Sequence, residues 1–121
     1  MSTNQPISTK TAENFKWGND VCNGWHLLKG DAMSVVEEIM PPGGRGVVHY
    51  HNVSQHFLYV LRGDVSLILD DKKHLLKSGE GITILPKSPH QIRNESDDEV
   101  NFLVFSSPEC FSDKCTEGED Y

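Results

Sequence analysis

The chain has 121 residues, a formal net charge of −7 at pH 7 and 36% hydrophobic residues. This length predicts one domain with one core, because folding at this size buries roughly two thirds of the surface of the unfolded chain. The acidic excess argues against a nucleic-acid partner, and the longest clear apolar run, Phe57–Leu61, is far shorter than the roughly 20 residues of a membrane span. We therefore expect no nucleic-acid or membrane partner.

Both ends of the chain are more polar than its centre. Residues 1–16 lack the apolar stretch of a secretory signal, so they predict a flexible N-terminal arm on a cytoplasmic protein. Residues 109–121 contain an acidic run and predict a polar C-terminal tail. Cys22, Cys110 and Cys115 do not form the disulfide framework of a small secreted domain and are expected to be free thiols. The predicted domain therefore spans residues 17–108.

The central region alternates short apolar runs with turn-forming residues. Runs of Val, Ile, Leu, Phe and Tyr are separated by Gly, Pro, Asp and Asn roughly every eight to twelve residues, which is typical of all-β proteins. The predicted strands are Trp25–Leu28, Met33–Met40, Gly46–His51, His56–Arg62, Val65–Leu69, His74–Leu76, Gly81–Leu85, His90–Asn94 and Val100–Phe105. Short strands need paired or covered edges, which favours a barrel or a double-sheet jelly roll over an open sheet.

The run Phe57–Leu61 is apolar along its whole length. Because alternate residues of a strand point to opposite faces, both faces of this strand are expected to be covered. Either the N-terminal strands or a partner subunit could supply the outer cover. The shortness of the chain favours a homodimer.

Several histidines lie in or beside two of the predicted strands. His49 and His51 are separated by one residue, so on an extended strand both imidazoles point to the same face. The candidates for further ligands from neighbouring strands are Gln55, His56 and His90. Imidazole suits Fe, Ni, Cu and Zn, so this grouping predicts a metal site. The alternative interpretation is that these histidines are surface groups or hydrogen-bonded core groups.

The order and spacing of these residues resemble the cupin family, specifically the small single-domain type-2 cupins of RmlC-like fold. The counterparts of the first cupin motif are Gly43, His49, His51, His56 and Gly63. The counterparts of the second motif are Gly79, Leu85, Lys87, His90 and Asn94. The resemblance implies a double-stranded β-helix, or jelly-roll barrel, with one divalent transition metal ion on His49, His51 and His90 and with His56 as the fourth ligand.

Three positions depart from the cupin pattern. Leu85 replaces a proline and Lys87 replaces a glycine, which is expected to alter one turn. His56 stands where many cupins have glutamate, and a neutral ligand there removes one negative charge from the metal. This change disfavours Mn and Mg and favours Fe, Zn, Ni or Cu. Gln55 would point to the opposite face of its strand and is the weaker alternative for the fourth ligand.

Two adjacent acidic residues, Glu37 and Glu38, lie in a predicted strand, so one of them must face inward. An inward carboxylate near a metal would act as a general base or as a hydrogen-bond partner of the ligands, whereas the rival interpretation is a rim charge. His26 and His74 have no matching spacing and are expected to be surface residues.

Cupins include several reaction classes, so the resemblance alone does not select one. A three- or four-histidine site with open positions favours a metal-dependent, dioxygenase-like oxidoreductase acting on a small organic molecule. A non-catalytic module that binds a small ligand or a metal is the second hypothesis. A sugar isomerase or epimerase is the weaker third, because Arg45, Lys87 and Arg93 are scattered along the sequence.

Overall fold

The computed structural model describes residues 5–109 together with the backbone of residues 114–116. This described part of the chain consists of strands joined by turns, with no helix. The strands are β1 (Glu13–Trp17), β2 (Cys22–Lys29), β3 (Ser34–Met40), β4 (His49–His51), β5 (Gln55–Arg62), β6 (Val65–Leu69), β7 (Lys72–Leu76), β8 (Gly81–Ile84), β9 (His90–Arg93), β10 (Val100–Ser107) and β11 (Lys114–Thr116). Consequently, no helix within these residues is long and apolar enough to cross a membrane.

The strands form two antiparallel sheets. The larger sheet has the order β1-β2-β3-β10-β5-β8, and the smaller one has the order β11-β4-β9-β6-β7. Strands that are distant in sequence are neighbours in both sheets, as in β3-β10-β5 and β4-β9-β6. This interleaving of the two halves of the chain is that of a jelly roll and confirms the predicted fold class.

Hydrophobic residues from the inner faces of the two sheets form the core. In β10, Val100, Phe102, Val104 and Ser106 are buried, whereas the residues between them are only partly buried. This two-residue period is expected of a strand with one face in the core. The core consists of Trp17, Cys22, Val36, Met40, Leu58, Val60, Val65, Leu67, Leu76, Ile84, Ile92, Val100, Phe102 and Val104.

Two strands fall outside the predicted set. β1 includes residues 13–16, which corrects the predicted boundary of the N-terminal arm. Its residues pair in register with β2, and Phe15 and Trp17 are more buried than their neighbours Asn14 and Lys16. β11 lies in the predicted acidic tail, where its backbone pairs with β4. Residues 110–113 and 117–121 of that tail lie outside the described residues.

The outer face of β5 is only partly covered. Leu58 and Val60 are fully buried, whereas Phe57 is 40% and Leu61 is 42% exposed. β1 and β2 belong to the same sheet as β5 and lie beyond β3, so the predicted cover by N-terminal strands is wrong for the described residues. The homodimer stays a prediction, which the sedimentation velocity of the native protein tests.

The thiol of Cys22 lies in this core and is fully buried. Burial, together with the smaller effect of the negative charge of Glu38, raises the pKa of Cys22 from 9.0 to about 11. Since only the thiolate is a strong nucleophile, we expect Cys22 to resist iodoacetamide at pH 8 in the folded protein and to react in urea, as measured by peptide mass spectrometry. As the pH rises, the thiol loses its proton at a lower pH in the unfolded chain than in the folded protein. Deprotonation of Cys22 therefore stabilises the unfolded chain and lowers the free energy of unfolding above pH 9.0. Equal labelling in the folded and unfolded protein would contradict this assignment.

Candidate metal centre

Three of the predicted ligands meet between the two sheets. His49 and His51 lie on the buried face of β4, and the half-buried Tyr50 lies between them on the opposite face. His90 is the first residue of β9 and pairs directly with His49. One ring nitrogen from each of these buried histidines lies within 4.8 Å of the other two. This geometry agrees with the prediction from the sequence that these three imidazoles lie close together.

His56 approaches the same cluster from the larger sheet. It is buried on β5, and its ring centroid lies 4.2 Å from that of His51 and 6.0 Å from that of His90. Its nitrogens do not belong to the group whose donors all lie within 4.8 Å of one another, so direct ligation by His56 stays a prediction. Gln55 is exposed on the opposite face of β5, which removes it as the alternative ligand.

Backbone carbonyls determine which nitrogen of two of these rings carries the proton. Nδ1 of His49 lies 3.0 Å from the carbonyl oxygen of Val47, and Nδ1 of His90 lies 2.9 Å from that of Ser88. Because a carbonyl oxygen only accepts, Nδ1 must donate in both contacts. In the neutral ring the lone pair is then on Nε2, which is the atom left to bind a metal.

Burial also favours the neutral form of His90. Desolvation lowers the pKa of His90 below 6.5, although the Ser88 carbonyl and the negative charge of Asp70 partly oppose this effect. Metal binding requires neutral imidazole, so His90 is ready to bind at neutral pH without first losing a proton.

The turn before His90 is tied to β4. Lys87, at the position of a motif glycine, has a left-handed φ of 68°, a conformation that glycine adopts without strain. Its backbone N–H donates to the carbonyl oxygen of His51 at 2.6 Å. The turn therefore keeps a glycine-like backbone despite the lysine, and it links the segment of His90 to the strand of the other two ligands.

The donor set is chemically suited to one divalent transition metal ion. Three neutral imidazoles, with a fourth beside them, provide borderline nitrogen donors and no negative charge. Such a set favours Zn, Fe, Ni or Cu over Mg, Ca or Mn, which prefer oxygen ligands. The residues present therefore fit the predicted divalent transition metal ion.

A cavity of about 280 Å³ opens from the histidine cluster and lies between the sheets. Its apolar lining consists of Phe15, Trp17, Val36, Leu58, Ile84, Ile92 and Val104. Its polar lining consists of the four histidines together with Lys16, His26 and Glu38. A mostly apolar pocket with a few polar groups is the usual form of a small-molecule site, and this one is at the small end of the range.

The two adjacent glutamates have different environments. Glu38 follows the buried Val36 by two residues on β3 and lines the cavity. Glu37 points to the outer face, where Oε2 accepts a hydrogen bond from Nδ2 of Asn101 at 3.0 Å. Glu38 is therefore the inward carboxylate.

Phe15, Trp17 and His26 are among the cavity residues that were not predicted from the sequence. Phe15 and Trp17 are on β1, most of which was assigned to the flexible arm. His26 was expected on the surface but is half-buried in the cavity wall, with its ring centroid 4.6 Å from that of Phe15. The apolar alternation of Phe15 and Trp17 was the available signal for β1, whereas no spacing rule points to His26.

Comparison with known proteins identifies the family. A family model described as a cupin domain matches residues 36–106. MJ1618 of Methanocaldococcus jannaschii is 35% identical over 83 residues, which cover 69% of this chain and 66% of that protein. The polyketide synthase CurC of Streptomyces cyaneus is 36% identical over 70 residues, covering 58% of this chain and 46% of CurC, so the match spans only part of each relative.

Solved structures support the same fold. The polyketide cyclase RemF from Streptomyces resistomycificus superimposes with a TM-score of 0.79 at 21% identity, covering 96% of this chain and 87% of RemF. At this identity the likeness concerns the fold only. The family match includes the strands that carry His49, His51, His56 and His90, and the chain belongs to the cupin domain family.

Proposed function

We propose that this chain is a metal-dependent enzyme that acts on a small organic molecule in its barrel cavity, with dioxygenase-like chemistry. The observation that supports this proposal is the convergence of three buried imidazoles, with donor atoms within 4.8 Å of one another, at the wall of a cavity of about 280 Å³. In our proposal His49, His51 and His90 hold the metal and His56 is the fourth ligand. A divalent transition metal held there would supply a Lewis acid with open positions for a substrate and for dioxygen.

The neutral donor set favours a particular kind of substrate. Since the imidazoles contribute no negative charge, the full charge of a divalent ion remains to attract an anionic oxygen, such as that of an enolate or a phenolate. Apolar side chains on both sheets, including Leu58 and Ile92, would hold the carbon skeleton and exclude water. Low local polarity strengthens the attraction between the ion and that oxygen. Phenols and 1,3-diketones combine these two properties.

A second candidate is a metal-dependent cyclisation without an oxidant. It is favoured by the polyketide synthase CurC among the relatives and the polyketide cyclase RemF among the structural neighbours. A poly-β-ketone chain also offers an enolate oxygen to the ion and an apolar body to the cavity. The alternative that is not an enzyme is a module that binds a small ligand or a metal without catalysis.

Oxygen consumption separates these functions. We expect the iron-loaded protein to consume dioxygen with at least one member of a panel of phenols and 1,3-diketones, as measured with an oxygen electrode, and the His49→Ala variant to consume none. A change of substrate without oxygen uptake, detected by mass spectrometry, would favour cyclisation. Thermal stabilisation by a panel member with neither turnover nor oxygen uptake would favour the binding module and contradict the enzyme proposal.

A further inference from the structure

The outer face of the larger sheet carries hydrophobic side chains, whereas a sheet face in contact with water is usually polar. Glu37 lies on this outer face, and residues directly opposite each other on neighbouring strands share a face. One row across five strands consists of Leu28, Val35, Phe105, Phe57 and Thr83, and the next consists of Trp25, Glu37, Leu103, Tyr59 and Gly81. Apart from Glu37, Thr83 and Gly81, these residues are hydrophobic.

Three aromatic rings form the centre of this outer face. The ring centroid of Phe57 lies 6.5 Å from that of Tyr59 and 6.3 Å from that of Phe105. The Phe57 ring lies over Gly81, where a Cβ would be 2.5 Å from Cζ of Phe57. Although packed in this way, Phe57 remains 40% exposed, and Leu61 on the same face is 42% exposed. A contiguous apolar patch of this kind marks an interaction surface.

We propose that the outer face of the larger sheet binds a second copy of this chain. The two copies then pack sheet against sheet about 10 Å apart, as the two sheets of a β-sandwich do. Five strands, with eight residues in the longest, form a face of about 19 Å by 26 Å. Two such faces bury on the order of 1,000 Å² in total, which is the area that a specific interface needs. This contact does not depend on the proposed reaction.

The distribution of charge on this face suits a second copy. Each copy has a formal net charge of −7, so two copies repel each other unless their charges lie away from the contact. Glu37, the charged residue of the two rows, is two strands away from Phe57. With the two-fold axis at Phe57, the two Glu37 residues would be roughly 20 Å apart. The ion pair of Arg62 and Glu99 lies at one end of β5, where it belongs to a polar rim.

The face also has the relief that close packing requires. A groove of about 250 Å³ lies beside the aromatic rings, between Phe57 and Phe105. Met33, which is 43% exposed, forms another apolar side of the groove, and Gln55 and Ser107 form a polar side. A side chain of the second copy can enter this groove. Interlocking side chains distinguish a specific interface from a chance contact between flat surfaces.

Sedimentation velocity of the wild type and two variants tests this interface. We expect the wild type to sediment as a dimer in the micromolar range. Phe57→Glu should raise the dissociation constant by about 100-fold or more, because it buries an unpaired carboxylate at the centre of the contact. Leu75→Glu is the matched control, since Leu75 is 56% exposed and lies on β7 in the other sheet. This variant should have the dissociation constant of the wild type.

Hydroxyl-radical footprinting of the wild type does not depend on the folding of a variant. The side chains of Phe57, Tyr59 and Leu61 should become protected as the concentration rises through the dissociation constant, whereas Leu75 should stay equally reactive. A wild type that is monomeric throughout the micromolar range would overturn the proposal. So would a dimer in which Phe57, Tyr59 and Leu61 keep the reactivity that they have in the monomer, because the two copies would then meet through another surface.

Discussion

Replacing His49 by alanine is expected to leave the barrel folded and to reduce bound metal to near zero. His49 contributes one of the three nitrogens that lie within 4.8 Å of one another. Its ring is already held by the carbonyl oxygen of Val47, so it binds without further ordering. Removing a group that only orients a metal-binding side chain lowers metal affinity by about 10- to 100-fold. Removing the metal-binding side chain itself should lower the affinity by more than that. His51→Ala should have the same effect.

Elemental analysis of protein purified without an affinity tag measures this effect. The matched control is His74→Ala, which removes a histidine from β7, outside the cluster. We expect near-stoichiometric iron, nickel, copper or zinc in the wild type and in this control, and almost none in His49→Ala. Full occupancy of the His49→Ala protein would be incompatible with the proposed site.

His56→Ala should lose less metal than His49→Ala. The His56 ring comes from the opposite sheet and lies beside His51, but its nitrogens fall outside the group of three closest donors. A loss as complete as that of His49→Ala would show that His56 contributes as much to binding as the β4 ligands. An unchanged metal content of His56→Ala would show that His56 lies beside the metal site without binding the metal.

The strand period was sufficient to predict which histidines of β4 share a face. His49 and His51 are two residues apart, and their burial on either side of Tyr50 confirms the alternation. The period does not reveal which strands become neighbours, because pairing between distant segments depends on the closure of the whole barrel. That His90 pairs with β4 while His56 approaches from the other sheet therefore required the structure. The cupin spacing predicted the grouping of these residues but not their sheets.

The sequence could not decide between Glu37 and Glu38. β3 has apolar residues on both faces, since Val35 and Ile39 share a face with Glu37, and Val36 shares the other with Glu38. A strand that is apolar on both sides carries no signal of which face is inward. β1 escaped prediction for a related reason, because only two apolar residues, Phe15 and Trp17, stand in a polar segment.

The motif asparagine, Asn94, has a structural role that the sequence pattern does not explain. It is 1% exposed, and Nδ2 donates to the carbonyl oxygens of Met40 at 3.0 Å and Asp98 at 2.8 Å. Its backbone N–H donates to Gly44, and its carbonyl accepts from the N–H of Gly43, both at 2.9 Å. Asn94, the last residue of the second motif, thus holds the turn at Gly43 and Gly44, where the first motif begins. These hydrogen bonds help to place β4 and β9, the strands that carry three of the histidines.

Asn94→Ala is expected to lower the free energy of unfolding by about 3 kcal/mol, because it removes two donors from carbonyl groups in or near the core and leaves a small void. Asn94→Asp keeps the oxygen that accepts from Ser96 but loses both donors, so it should destabilise the fold nearly as much. Urea unfolding of metal-free protein measures both changes, with Gln55→Ala, which removes an exposed amide, as the control. If the free energy of unfolding of Asn94→Ala lies within about 0.5 kcal/mol of the wild-type value, these hydrogen bonds do not stabilise the turn. Because the same turn carries the chain into β4, the destabilised variant should also bind metal more weakly, even though Asn94 lies outside the histidine cluster.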